Sequence, residues 1–214
     1  MNKSLEHFHI GPNLGANQDK FKDLTLKIGG CAIVTVCDTF IVMVRNGFAS
    51  SLIPINKSNI TMVDYEDFAH KVKPYLHPRL TGIYQLETYI KGVNKYLKEQ
   101  TNHINHIHIS SVPGETDEDI AANKLKQQID RGIPAVFLLL LHTDKDFSDY
   151  EWHWFLINGY DEAGNELKVQ LLTYGETRWV DFHRLWNTGK PLRGGMVFFQ
   201  SEEPSKETNN RLFS

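Results

Sequence analysis

A disulfide framework is the first thing this sequence lacks. Two cysteines occur in 214 residues, Cys31 and Cys37. On a shared helix their Cα atoms stand about 9 Å apart, beyond disulfide reach. Two thiols without a framework fit a reducing compartment, or a thiol kept for chemistry. Long hydrophobic runs are missing too. The longest run of large apolar residues, 136–141, is far short of the roughly 20 that cross a bilayer. The opening stretch, residues 1–13, has no apolar run and reads as no signal peptide. Nor is there an excess of one charge: 23 basic and 26 acidic residues leave a net −3 and no polyanion-binding surface. The expectation is a soluble cytoplasmic protein with neither nucleic acid nor membrane as partner. What remains is ordinary: 41% apolar residues suffice for one core held without disulfides or metal.

Residues 1–27 are polar and Gly- and Asn-bearing, and read as an arm or loop. Residues 28–200 form a single domain, and 201–214 a polar tail. After Gly29-Gly30, the apolar block 31–44 has strand-like residues, but its length points to a buried helix stopped at Asn46-Gly47. Helices are expected over 64–72 and 83–98, the second from Ile83, Leu86, Tyr89, Ile90, Val93 and Leu97 on one face. A strand around 104–109 follows, then a helix opened by Thr116 and Asp119 and closed by Gly132. Strands are expected over 135–141, 152–160, 166–172, 176–180 and 195–200, with a short helix over 181–186. Helices first and mainly sheet afterwards make an α+β domain.

The chemistry centres on Cys31 and His153. Cys31 opens the apolar helix, where unpaired N–H groups and the helix dipole favour a thiolate and can hold an oxyanion. The two glycines before it leave room for a substrate backbone. Cys37 lies deeper, among Val36, Phe40 and Ile41, as a packed thiol. His153 begins an apolar strand, an unusual place for an imidazole, and with an upstream Cys it fits a nucleophile–base pair.

Four segments carry a resemblance: GGCAIVTVCDTF at 29–40, GIPAVF at 132–137, HWFLINGYD at 153–161, and 167–175 with Trp179, Phe182 and Trp186. In order and spacing they resemble the papain-like cysteine peptidases, in particular the bacterial group related to double-glycine leader peptidases, over residues 18–200. The resemblance implies a papain-like fold, with a nucleophile helix packed on a C-terminal antiparallel sheet. It implies a peptidase or amidase working through a thioester on a peptide or other amide or acyl substrate, without cofactor or metal. Without membrane spans, such an enzyme would be free-standing rather than fused to a transporter. Cys31 becomes the nucleophile and His153 the base. Gln18, 13 positions before Cys31, becomes the oxyanion donor, its other reading being a surface-loop glutamine. The imidazole's orienting residue, usually Asn or Asp, falls on Leu172 in the papain register and on Gln170 in the leader-peptidase register. Gln170 is the expected orienter, able to accept from the ring but not to offset its charge.

Other readings stay open. The same constellation serves acyltransferases of transglutaminase type, and without the usual Asn or Asp the domain would also serve as an inactive binding module. His103, His106 and His108 could offer zinc a His-x-His pair, but read as a solvated strand face. Asp144, Asp146 and Asp149 read as a mobile acidic loop rather than a calcium site. Trp152 and Trp154 flank His153 and read as core packing, with a substrate-facing wall as the other reading.

Overall fold

A computed structural model describes residues 1–48, 50–78, 82–101 and 106–201. In chain order the elements are β1 (Asn2–Ser4), β2 (His9–Ile10), β3 (Asn13–Leu14), α1 (Leu24–Gly29), α2 (Cys31–Arg45), α3 (Met62–Leu76) and α4 (Leu86–Tyr96). Then come β4 (Ile107–Pro113), α5 (Glu118–Asp130), β5 (Ala135–Leu139), β6 (His153–Ala163), β7 (Glu166–Thr173), β8 (Glu176–Asp181), α6 (Phe182–Trp186) and β9 (Gly194–Ser201). The fold is α+β. Its main sheet is antiparallel, in the order β4-β9-β5-β6-β7-β8, with β1 on β6.

The sheet has helices on both faces. Along β5, Val136 and Leu138 join the core beneath α2, α3 and α4, while Ala135, Phe137 and Leu139 join the core beneath α5 and α6. That two-sided burial is why the run has no polar alternation. α2 is equally enclosed: 13 of its 15 residues are buried. A helix covered nearly all round tolerates β-branched residues because packing outweighs propensity.

The segment expected to be an arm is built into the body. β1 pairs with the far half of β6, Asn2 opposite Asp161 and Ser4 opposite Gly159. Phe8, Ile10, Ala16 and Phe21 are buried singly, without a period that a sequence pattern would reveal. Asp23 caps α1 by accepting from Thr25 and Leu26 N–H. The same carboxylate meets His70 and Lys73 of α3. Lys73, followed by the Thr25 hydroxyl, holds it well below the usual carboxylate range.

Several boundaries differ from expectation for local reasons. α3 begins earlier, at a Thr61–Asp64 capping box, and runs through Pro74 in its last turn. Pro74 has no N–H to give the His70 carbonyl, so one intrahelical bond of the last turn is missing. α4 starts at Leu86 because the Ile83 carbonyl is engaged by Trp154 Nε1 at 2.6 Å. The N-cap of α5 is Asp117 rather than Thr116. Residue 104 of the expected strand lies outside the described residues. Among the described residues, no helix is long and apolar enough to cross a membrane.

Candidate active site

α1 and α2 meet at Gly30, which ends one helix and caps the next. A Cβ there would lie 2.2 Å from the Leu26 carbonyl oxygen, so chain packing, not substrate access, demands this glycine. Cys31 is thereby delivered at the first turn of α2, 7% exposed. The expected lowering of its thiol pKa is reversed. Burial pushes the thiol up, and the backbone N–H groups of Trp154, Ala32 and Cys31 itself draw it only part of the way back. Cys37 is fully buried, with its thiol raised mainly by burial and then by Asp38.

His153 opens β6, paired with Leu139 of β5. Its Nε2 shares a 2.7 Å hydrogen bond with Thr173 Oγ1 at the end of β7. In the tautomer where Nε2 donates to that hydroxyl, Nδ1 carries the lone pair for proton transfer. The Tyr174 ring lies flat on the imidazole, with centroids 4.8 Å apart and planes 3° apart. Burial lowers the imidazole pKa to about 4. The resting pair near neutrality is therefore a thiol beside a neutral imidazole.

Cys31, His153 and Gln18 line one cleft of about 390 Å³, together with Gly29, Trp152 and Tyr174. Gln18 begins a 3-10 turn, and its amide donates weakly to the Lys27 carbonyl at 3.4 Å. Trp152 is 48% exposed and forms a wall of the cleft, whereas Trp154 is buried and stacks on Tyr89. Trp152 and Tyr174 have φ of 56° and 54°, the two non-glycine residues in the left-handed region among those described. Such conformations cost about 1–3 kcal/mol each and gather at functional sites. Here both line the same cleft.

Gln170 is not brought there. It pairs with Gly159 further along the sheet, and its side chain accepts from the Ser4 hydroxyl of β1. Side chains alternate along a strand, so a residue three positions from Thr173 faces the other way. Leu172, the papain-register position, is buried apolar core. Thr173 is the imidazole's partner, and sequence reasoning missed it. The signal was the Tyr174-Gly175 pair, a two-residue hairpin loop between alternating strands, with Thr173 at its shoulder.

The remaining candidates resolve differently. His103 lies outside the described residues, His106 is exposed just before β4, and His108 is exposed within it. Among the described residues, no three His, Cys, Asp or Glu side chains gather as a metal site. The acidic loop is ordered into a 3-10 turn, Lys145–Tyr150, and Arg184 pairs with both Asp144 and Asp146. A second buried polar group lies on α2: Asp38 accepts from Tyr65 Oη at 2.6 Å and faces His7 Nε2 at 3.4 Å. Comparison of the chain with family models, curated proteins and solved structures gives no match.

Proposed function

We propose that the cleft is a cysteine-dependent acyl-transfer site, acting as a peptidase or amidase of papain-like type. One observation carries the reading: a helix-start thiol and an imidazole 122 positions apart in sequence line the same cleft, and Nε2 of the imidazole is already held by Thr173. In this mechanism His153 Nδ1 takes the Cys31 proton as the sulfur attacks the substrate carbonyl carbon. The Cys31 backbone N–H and the Gln18 amide donate to the resulting oxyanion. The protonated imidazole then gives its proton to the leaving amine as the C–N bond breaks, leaving a thioester. Water, deprotonated by His153, attacks the thioester and releases the acid and the thiol.

Thr173 supplies orientation without charge. A hydroxyl can fix the ring but cannot offset an imidazolium as a carboxylate would. Proton transfer is thus concerted with attack, and His153 works as a general base rather than as half of a standing ion pair. The same neutral pair favours one second reading, an inactive papain-like domain kept for binding.

Alkylation separates the two. The rate of iodoacetamide labelling at Cys31 and Cys37 would be followed by peptide mass spectrometry from pH 6 to 10, in wild type and His153→Ala. The expected result is selective labelling of Cys31 that rises with pH and falls on His153→Ala. If both thiols stay inert until the protein unfolds, the acyl-transfer reading fails and the binding reading stands.

A further inference from the structure

The loop joining β7 and β8 consists of Tyr174 and Gly175, with φ of 54° and 80°, between the paired Thr173 and Glu176. Two successive positive φ values make a type I′ turn. Glycine enters that region freely, whereas a tyrosine must be held there. This loop places both groups that flank the imidazole: the Thr173 hydroxyl on Nε2 and the Tyr174 ring on its face.

The hold comes from the N-terminal segment. Asn17 Nδ2 donates to the Tyr174 carbonyl at 2.8 Å, and Leu14 N–H donates to the Gly175 carbonyl at 2.9 Å. Asn13 closes the space over Gly175, where a Cβ would lie 2.8 Å from the Asn13 Cβ. Asn17 has a second engagement. Its Oδ1 accepts from Asp19 N–H at 2.9 Å, capping the turn that presents Gln18.

We infer that Asn17 is a positioning residue of the cleft, one amide that sets the Gln18 turn through its oxygen and the Tyr174 loop that flanks His153 through its nitrogen. The inference rests on the acyl-transfer reading. It makes Asn17 the one side chain that links the turn of the oxyanion donor to the loop beside the base, with Leu14 and Asn13 holding that loop alongside it. Only an amide can do both. A hydroxyl is too short to bridge the two turns, and a carboxylate offers the Tyr174 carbonyl no donor.

Two variants of the full chain test this. Asn17→Asp keeps the capping oxygen and replaces the donor with an oxygen facing the Tyr174 carbonyl. Asn17→Ser keeps a cap without introducing charge. His153 would be followed through its imidazole proton resonances over a pH titration, assigned by comparison with His153→Gln. Cys31 alkylation would be measured alongside.

In both variants the His153 resonances should move downfield as the Tyr174 ring leaves the imidazole. Cys31 labelling at neutral pH should fall by roughly 10- to 100-fold, the scale of a small misplacement at a reacting centre. Folded variants with unchanged His153 resonances would overturn the inference. So would loss of fold in both, which would make Asn17 a structural tie. If wild-type Cys31 is itself inert, the acyl-transfer reading fails while the His153 resonances still decide whether Asn17 holds the Tyr174 loop.

Discussion

Acidification from pH 7 to pH 5 should destabilise this fold through His153. The imidazole is 6% exposed, and burial takes its pKa from the ordinary 6.5 to about 4. Between those values the unfolded chain binds a proton at this residue and the folded protein does not. The stability it contributes is therefore complete above pH 6.5, falls as the pH drops towards 4, and is lost below that. A gap of that size is worth about 3 kcal/mol, of which roughly 2 kcal/mol disappears between pH 7 and pH 5. The chain holds nine other histidines, so the measurement has to be a difference. Urea unfolding at pH 7, 6 and 5 would be compared between wild type and His153→Gln. The glutamine amide can still bond the Thr173 hydroxyl but does not ionise. Wild type should lose about 2 kcal/mol more than the variant over that range. Curves that fall in parallel, within about 0.5 kcal/mol, would refute the argument that burial holds this imidazole neutral.

Removing the Thr173 hydroxyl with Thr173→Val should slow Cys31 alkylation by roughly 10- to 100-fold, since a lost hydrogen bond to the base is worth about 1–3 kcal/mol. Thr173→Ser should restore most of the rate, and equal rates in Val and Ser variants would show that the 2.7 Å contact does not orient the ring. On α2, Asp38→Ala leaves the Tyr65 hydroxyl and the His7 ring without the acceptor each now faces. It should cost about 2–5 kcal/mol in chemical denaturation, and a change under about 1 kcal/mol would mean the pair is not a stability element.

The elements with one dominant signal were legible in the sequence. The length of 31–44 gave α2, and the unbroken apolar run gave β5. Cys31 stood out by its place after Gly29-Gly30 at a helix start, and His153 by its place at the head of an apolar strand. What stayed hidden depends on long-range contact. β1 is three residues long and has meaning only beside Gly159 of β6. Thr173 is an ordinary strand residue until the β6–β7 register brings it to an imidazole 20 positions earlier. Gln170 failed for the same reason, because a motif register carried over from elsewhere does not fix which way a side chain faces. The sign of the Cys31 pKa shift was also out of reach, since it depends on how deeply the helix start is buried.

The placement of β9 between β4 and β5 has a consequence for biosynthesis. The last of the described strands is an interior strand, so the sheet cannot close around its centre until residues 194–201 have emerged. At about 5–20 residues per second, the 163 positions from Cys31 to Gly194 take roughly 10–30 s to translate. Throughout that interval the thiol belongs to a chain whose sheet is incomplete. The strands that border the cleft, β6 and β7, are therefore made before the strand that completes the sheet, and Cys31 waits in a half-built domain for the last piece of its framework.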